Sequence, residues 1–349
     1  MLSPRNAVLR MNAYSPPLEG RRNFIRLDFN ENSRGCSPAI LEALKHVTLQ
    51  DIATYPEYGT LYEHLAGFLG IPREYMVVTN ASDEGIQLIF QTFLEAGSRL
   101  VLPVPTFAMF TFYAELLDLR IERVPYLPDL SFPEETVLQA LTLDTKALVL
   151  VNPNNPTGTP IRHDYIIDIL ERMKDRLVLV DEAYVEFNGE SALDLLDRYD
   201  NLVILRTFSK AFGMAGLRLG VVFSCPENIR HLSKAHSPYS ISALTVKLAL
   251  AALEDTDSVT GYIADVRKSK ARLGEALAAM NIPTYPSAAN FLLARFGEAC
   301  TRVENELRKR GILVRNFSHA PLLDGCLRIT AGTPEQTDKL IAALKELKE

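Results

Sequence analysis

The residues best suited to chemistry surround Lys210. An apolar run, Leu202, Val203, Ile204 and Leu205, leads through Arg206 into Thr207, Phe208, Ser209 and Lys210, and Arg218 follows eight residues later. A hydroxyl three positions before the lysine, another directly before it and an arginine beyond it make a polyanion pocket around an amine. That arrangement suits a lysine forming a Schiff base with a phosphorylated aldehyde, which needs a nucleophilic amine and phosphate ligands in one short segment. The cofactor that fits is pyridoxal phosphate.

Pyridoxal chemistry also needs a carboxylate facing the ring nitrogen, to hold its proton. Asp181 ends the apolar run Leu177 to Val180, with Tyr184 three residues on as a donor to the phenolic oxygen. An aspartate there also serves as a helix or turn cap. The segment Asn152 to Gly158 holds three asparagines and two prolines. It is a turn by composition, and Asn155 is its best donor to the phenolic oxygen. Asn80 to Glu84 separates a strand from an apolar helix, where free backbone amides bind phosphate and Ser82 or Asp83 serves equally as an N-cap. Phe107 follows Pro103, Pro105 and Thr106 and is placed to stack on a pyridine ring. Arg315 and Arg328 lie on separate strand-like runs, where a buried guanidinium holds a carboxylate or phosphate in bidentate fashion. The six histidines form no ligand pair and read as surface or packing residues, and no metal is expected.

These residues need a scaffold, and the hydrophobic pattern supplies one. Short apolar runs alternate with helical patterns from Met76 to Cys225, which predicts an α/β fold with a mainly parallel sheet. The seven candidate strands are Met76 to Thr79, Arg99 to Leu102, Ile121 to Val124, Ala147 to Val151, Leu177 to Val180, Leu202 to Leu205 and Leu219 to Phe223. Four of them end in the polar clusters described above. Ligands of open α/β sheets bind beyond the carboxyl ends of the strands, so the four clusters converge on one crevice.

At 349 residues the chain exceeds one core, and a smaller α+β domain is expected after the large one. The expected division is an arm with part of the small domain at 1–36, a large cofactor-binding domain at 37–245 and a small domain at 246–349. Ser15, Pro16, Pro17 and Gly20 argue against regular structure in the first thirty residues. A continuous helical pattern runs from Ala243 to about Met280. Strands follow at Phe291 to Ala294, Ile312 to Arg315 and Leu327 to Thr330, with a closing helix from Pro334 to Leu347.

A net charge of −6 without a basic block argues against nucleic-acid binding. The four cysteines lie far apart and read as reduced cytoplasmic thiols. No segment is long and apolar enough to span a bilayer, which points to a cytoplasmic protein away from membranes.

The chain resembles the fold-type I pyridoxal-phosphate aminotransferases of classes I and II, and within them the histidinol-phosphate aminotransferase subfamily, over nearly its full length. The resemblance rests on Asp28 to Asn32; Tyr55, Pro56, Tyr58 and Gly59; Ser82 to Glu84; Asn152 to Gly158; Asp181 to Tyr184; Ser209 to Phe212 with Ala215 to Arg218; and Leu327 to Thr330. It implies Lys210 as the Schiff-base lysine, Asp181 at the pyridine nitrogen, and Asn155 and Tyr184 at the phenolic oxygen. It puts the cofactor phosphate against Ala81, Ser82, Asp83, Thr207, Ser209 and Arg218. Tyr55 is implied to reach that phosphate from the other subunit of a homodimer, and Tyr14, Asn30, Arg315 and Arg328 to handle substrate anions. The implied reaction is a ping-pong transamination between glutamate and imidazole-acetol phosphate, giving 2-oxoglutarate and histidinol phosphate in histidine biosynthesis.

Three departures from the subfamily pattern stand out: Phe107 for a common tyrosine, Ala81 for a frequent glycine, and Ser33 for a frequent proline. Ala81 requires a backbone conformation that alanine tolerates. Aromatic or broad-specificity transamination and threonine-phosphate decarboxylation use the same architecture. A catalytically idle regulator would have no need of both Lys210 and Asp181.

Overall fold

A computed structural model describes residues 2–13 and 19–347, so the expectation for Tyr14 lies outside the described residues. Seven strands form the central sheet: β1 Met76–Asn80, β2 Arg99–Val104, β3 Arg120–Pro125, β4 Thr145–Val151, β5 Leu177–Asp181, β6 Leu202–Thr207 and β7 Leu219–Ser224. Their order is β1-β7-β6-β5-β4-β2-β3. Strand β7 runs antiparallel to both its neighbours, and the other pairings are parallel. Each predicted strand is present, extended by a residue or two.

The inner strands are apolar along their middles because both faces are covered there. Val178 and Val180 of β5 point into one core, while Leu177 and Leu179 point into the other. Leu202 and Ile204 of β6 divide from Val203 and Leu205 in the same way. Edge strand β3 instead exposes Arg120, Glu122 and Arg123, charges that discourage pairing with another sheet.

Helix α1, Ala81–Phe93, leaves β1 directly. The continuous helix expected from Ala243 to Met280 is two helices, α2 Ala243–Glu254 and α3 Thr256–Ala279. Asp255 makes the break. Its carboxylate caps α3 by accepting from Ser258 N–H at 3.3 Å and Ser258 Oγ at 2.6 Å, and Ser37 donates to it as well.

The smaller sheet contains β8 Thr284–Tyr285, β9 Phe291–Arg295, β10 Arg315–Asn316 and β11 Cys326–Thr330, antiparallel in the order β10-β11-β9-β8. Helix α4, Pro334–Glu346, covers its core. The single strand expected at Ile312 to Arg315 is divided. Ile312–Leu313 pairs in parallel with Ile25–Arg26, and after the buried Val314 the chain changes partner so that Arg315 lies opposite Arg328. The expectation of no regular structure near the start also needs correction: Asn6–Arg10 is helical, with Ala7 buried and Arg10 paired to Asp118 at 2.6 Å. The prolines that argued against structure there lie further along the chain.

Candidate active site

A cavity of about 480 Å³ opens at the carboxyl ends of the central strands, beneath the small sheet. It brings together Ser82 and Asp83 at the start of α1, Phe107 after β2, Asn155 after β4, and Asp181 and Tyr184 at the end of β5. Thr207, Ser209 and Lys210 join them from the end of β6, Arg218 from before β7, Arg315 and Arg328 from the small sheet, and Asn30 from the arm. Ala81 is buried behind this wall and Tyr55 lies outside it, 76% exposed on the surface, its ring tilted against Tyr239 with centres 4.4 Å apart.

Asp181 closes β5 almost entirely out of solvent. Its Oδ1 accepts from the Ala183 N–H at 3.0 Å, and its Oδ2 accepts no hydrogen bond among the described residues. Burial pushes this carboxyl up to about 7, with Asp83 and Glu182 adding to the rise and the Ala183 N–H and Lys210 opposing it. A group in that position is short of a cation. Lys210 lies on the turn after β6, where its Nζ donates to the Phe29 carbonyl at 3.0 Å and sits 5.8 Å from the Tyr184 ring centre.

The three asparagines after β4 have separate tasks. Asn152 Oδ1 accepts from Ile161 N–H at 2.9 Å and anchors the loop. Asn154 donates to the Pro105 carbonyl at 2.9 Å and accepts from Thr106 Oγ1 at 2.7 Å, which fixes the segment presenting Phe107. Asn155 Oδ1 accepts from Arg328 Nη1, which turns the Asn155 NH2 group away from the arginine. Only Asn155 of the three lines the cavity.

The corner opposite holds the residues expected at an anion. Arg218 pairs with Asp83 at 2.6 Å, and Thr207 Oγ1 donates to Ser209 Oγ at 2.9 Å. Ala81 donates its N–H to the Arg218 carbonyl at 3.0 Å. Both Ala81, at φ +61°, and Arg218, at φ +55°, adopt the left-handed conformation. Alanine therefore sits in the backbone region that favours glycine, at a cost of about 1 kcal/mol. Neither Ser82 nor Asp83 caps α1. Asn80 is the N-cap residue, without a side-chain cap, and Glu84 accepts from its N–H. The first amides of α1 open toward the cavity, where the helix dipole would favour an anion.

At the mouth, Arg315 and Arg328 are direct cross-strand neighbours. Arg328 donates to the Asp28 carbonyl at 2.6 Å and lies 5.3 Å from the ring centres of both Phe291 and Phe317. Arg315 lies over Phe29 at 5.8 Å. Asn30, expected at a substrate anion, gives its amide NH2 group to Tyr184 Oη at 2.8 Å. Arg21 escaped the sequence reading, and His319 was read without a role in the cavity. Arg21, buried and paired with Asp28 at 2.6 Å and Glu31 at 2.8 Å, lies 4.0 Å from the Phe29 ring. His319, expected to be a surface or packing residue, stacks on Phe317 at the cavity rim. Neither carries a spacing signal that separates it from an ordinary loop residue.

Pyridoxal phosphate fits these residues. Asp181 offers an unengaged carboxylate oxygen, Lys210 an amine, Phe107 a ring, and the start of α1 with Ser209 and Arg218 a set of phosphate donors. The Aminotransferase class I and II family profile matches residues 22–344. A histidinol-phosphate aminotransferase of Roseiflexus castenholzii is 41% identical over 93% of this chain and 89% of its own. The structure of histidinol-phosphate aminotransferase from Sinorhizobium meliloti in complex with pyridoxal-5'-phosphate matches with a TM-score of 0.89 at 26% identity, over 98% of this chain and 96% of that one. An L-threonine-O-3-phosphate decarboxylase from Porphyromonas gingivalis shares the fold, with a TM-score of 0.80 at 24% identity over 93% of this chain and 99% of that one. The chain belongs to the class I and II aminotransferase family. It is a pyridoxal-phosphate-dependent aminotransferase.

Proposed function

We propose that this aminotransferase exchanges the amino group between glutamate and imidazole-acetol phosphate, making histidinol phosphate and 2-oxoglutarate in histidine biosynthesis. The observation that carries the reading is the side-by-side placement of Arg315 and Arg328 at the mouth of a cavity whose inner end holds Lys210. Glutamate brings two carboxylates, while histidinol phosphate brings one phosphate and no carboxylate, and two adjacent guanidinium groups serve either. The function named for the Roseiflexus relative agrees with this.

Bound pyridoxal phosphate supplies an electron sink for the charge that develops on the substrate α-carbon. Asp181 holds the ring-nitrogen proton that makes the sink effective, and Asn155 and Tyr184 hold the phenolic oxygen. Backbone groups of Ser82 and Asp83, with Thr207, Ser209 and Arg218, hold the phosphate, while Phe107 stacks on the ring; Ala81, expected among them, already gives its N–H to the Arg218 carbonyl. Lys210 Nζ takes the proton from the substrate α-carbon and gives it up at the cofactor C4′ carbon, acting as base and then as acid.

The same reading makes the protein a homodimer in which Tyr55 crosses to the partner's phosphate. Leu41, Leu49, Ile52, Tyr55 and Tyr239 are exposed, with Tyr55 against Tyr239, and large apolar side chains left in solvent suit a subunit contact. A cytoplasmic location suits its four free thiols, and the domain limits at 36/37 and 245/246 belong to the same proposal. Steady-state turnover with 2-oxoglutarate tests the substrate. Histidinol phosphate should exceed phenylalanine in kcat/KM by about 10-fold or more. Preference for phenylalanine, or carbon dioxide release from threonine phosphate, would sink the assignment.

A further inference from the structure

The Tyr184 hydroxyl faces the cavity, and the direction of its proton is decided by residues behind it. Asn30 Nδ2 donates to Tyr184 Oη at 2.8 Å. Which end of that amide faces the tyrosine is decided by Thr330 of β11. Thr330 Oγ1 accepts from the Asn30 backbone N–H at 3.1 Å and gives its own proton to Asn30 Oδ1 at 3.0 Å. The Asn30 carbonyl is held in turn by Asn290 Nδ2 at 3.1 Å. Asn30, Thr330 and Asn290 are all buried. Asn30 adopts φ +56°, a left-handed conformation that asparagine tolerates better than most residues and that sets its side chain beside Thr330.

A hydroxyl has one proton to give. With the Asn30 amide turned over, its NH2 group and the backbone N–H would both point at Thr330 Oγ1, whose proton would lose the acceptor it has now. In a site closed to water that loss is costly. The donors therefore run one way, from Thr330 to Asn30 to Tyr184. Tyr184 accepts from Asn30 and keeps its own proton for the cavity.

We propose that Thr330 is a positioning residue which, through Asn30, makes Tyr184 a hydrogen-bond donor toward the cavity and so sets the acidity of the bound cofactor. The proposal rests on the placement of Tyr184 at the cofactor's phenolic oxygen. A donor there stabilises negative charge on that oxygen, so the cofactor releases its proton at lower pH. With the amide reversed, Asn30 Oδ1 would draw the tyrosine proton away and the release would move to higher pH. Neither Thr330 nor the backbone of Asn30 need touch the substrate for this to hold.

The test is the pH titration of the holoenzyme's visible absorption band without substrate, in four variants. Thr330→Val keeps the branched shape and removes the hydroxyl, and should raise the midpoint by about half a pH unit or more. Thr330→Ser should restore the wild-type midpoint, which a merely space-filling role would not require. Asn30→Asp removes the amide donor and offers Tyr184 an acceptor, so its midpoint should also rise; it carries the test if Thr330→Val does not fold. Tyr184→Phe separates the two layers. An unmoved midpoint in Tyr184→Phe overturns the tyrosine's placement, whereas a moved midpoint there with wild-type values in Thr330→Val and Asn30→Asp overturns the relay alone.

Discussion

Asp181 shows how single residues of this site are tuned by what surrounds them. The folded protein holds its carboxyl proton up to about 7, whereas the unfolded chain releases it near the ordinary 3.8. The folded state thus binds more protons between those limits, and the cofactor-free protein loses stability as pH rises through them. Asp181→Asn removes that loss. Thermal unfolding of the cofactor-free proteins should find the variant more stable than the wild type at pH 8, by roughly 1 to 4 kcal/mol, and the two nearly equal at pH 4. The variant should also bind pyridoxal phosphate more weakly, since the ring-nitrogen proton loses its anion; equal affinity would remove Asp181 from that role. Residues of this kind were legible in the sequence because each ends an apolar run. Arg21 and Thr330 were not, because their importance lies in partners 7 and 300 positions away, Asp28 and Asn30.

At the scale of elements, the site depends on how closely β7 approaches the start of α1. Gly220 of β7 lies against the turn that opens the helix, and a Cβ there would sit 2.5 Å from the Ala81 carbonyl carbon and 2.8 Å from the Ser82 nitrogen. Only a residue without a side chain permits that approach. Gly220→Ala should therefore push the phosphate-binding amides out of position, weakening cofactor affinity by about 10-fold or more and destabilising the fold by about 2 kcal/mol. Equilibrium dialysis and thermal unfolding check both, and unchanged affinity would show that the turn can shift without consequence. The strands themselves were predictable, because an apolar run between polar clusters has one meaning in a parallel sheet. The break at Asp255 was not, because an aspartate between apolar helical turns reads equally as a surface residue and as a cap. The division of Ile312 to Arg315 was hidden for a related reason: a change of pairing partner leaves no mark on hydropathy.

The whole molecule joins the central sheet to the small one through the segment from Asp28 to Glu31. The Asp28 carbonyl accepts from Arg328, the Phe29 carbonyl from Lys210, and Asn30 bridges Thr330 and Tyr184. The small sheet is therefore tied to the cofactor site through two backbone carbonyls and one buried amide, and a reading of side-chain types would not reveal the carbonyls. The exposed Tyr55 belongs to this scale too. Leu49→Glu with Ile52→Glu should convert a dimer to a monomer in sedimentation and weaken cofactor affinity, since Tyr55 is no longer delivered to a neighbouring site. A monomer with full activity would contradict the shared-site reading. The central claim is that the converging strand ends form one pyridoxal-phosphate site anchored at Lys210. Borohydride reduction of the purified holoenzyme, followed by peptide mass analysis, tests it most directly. The account predicts the phosphopyridoxyl mass on the peptide containing Lys210, absent from Lys210→Ala; the label on another lysine, or none, would contradict it.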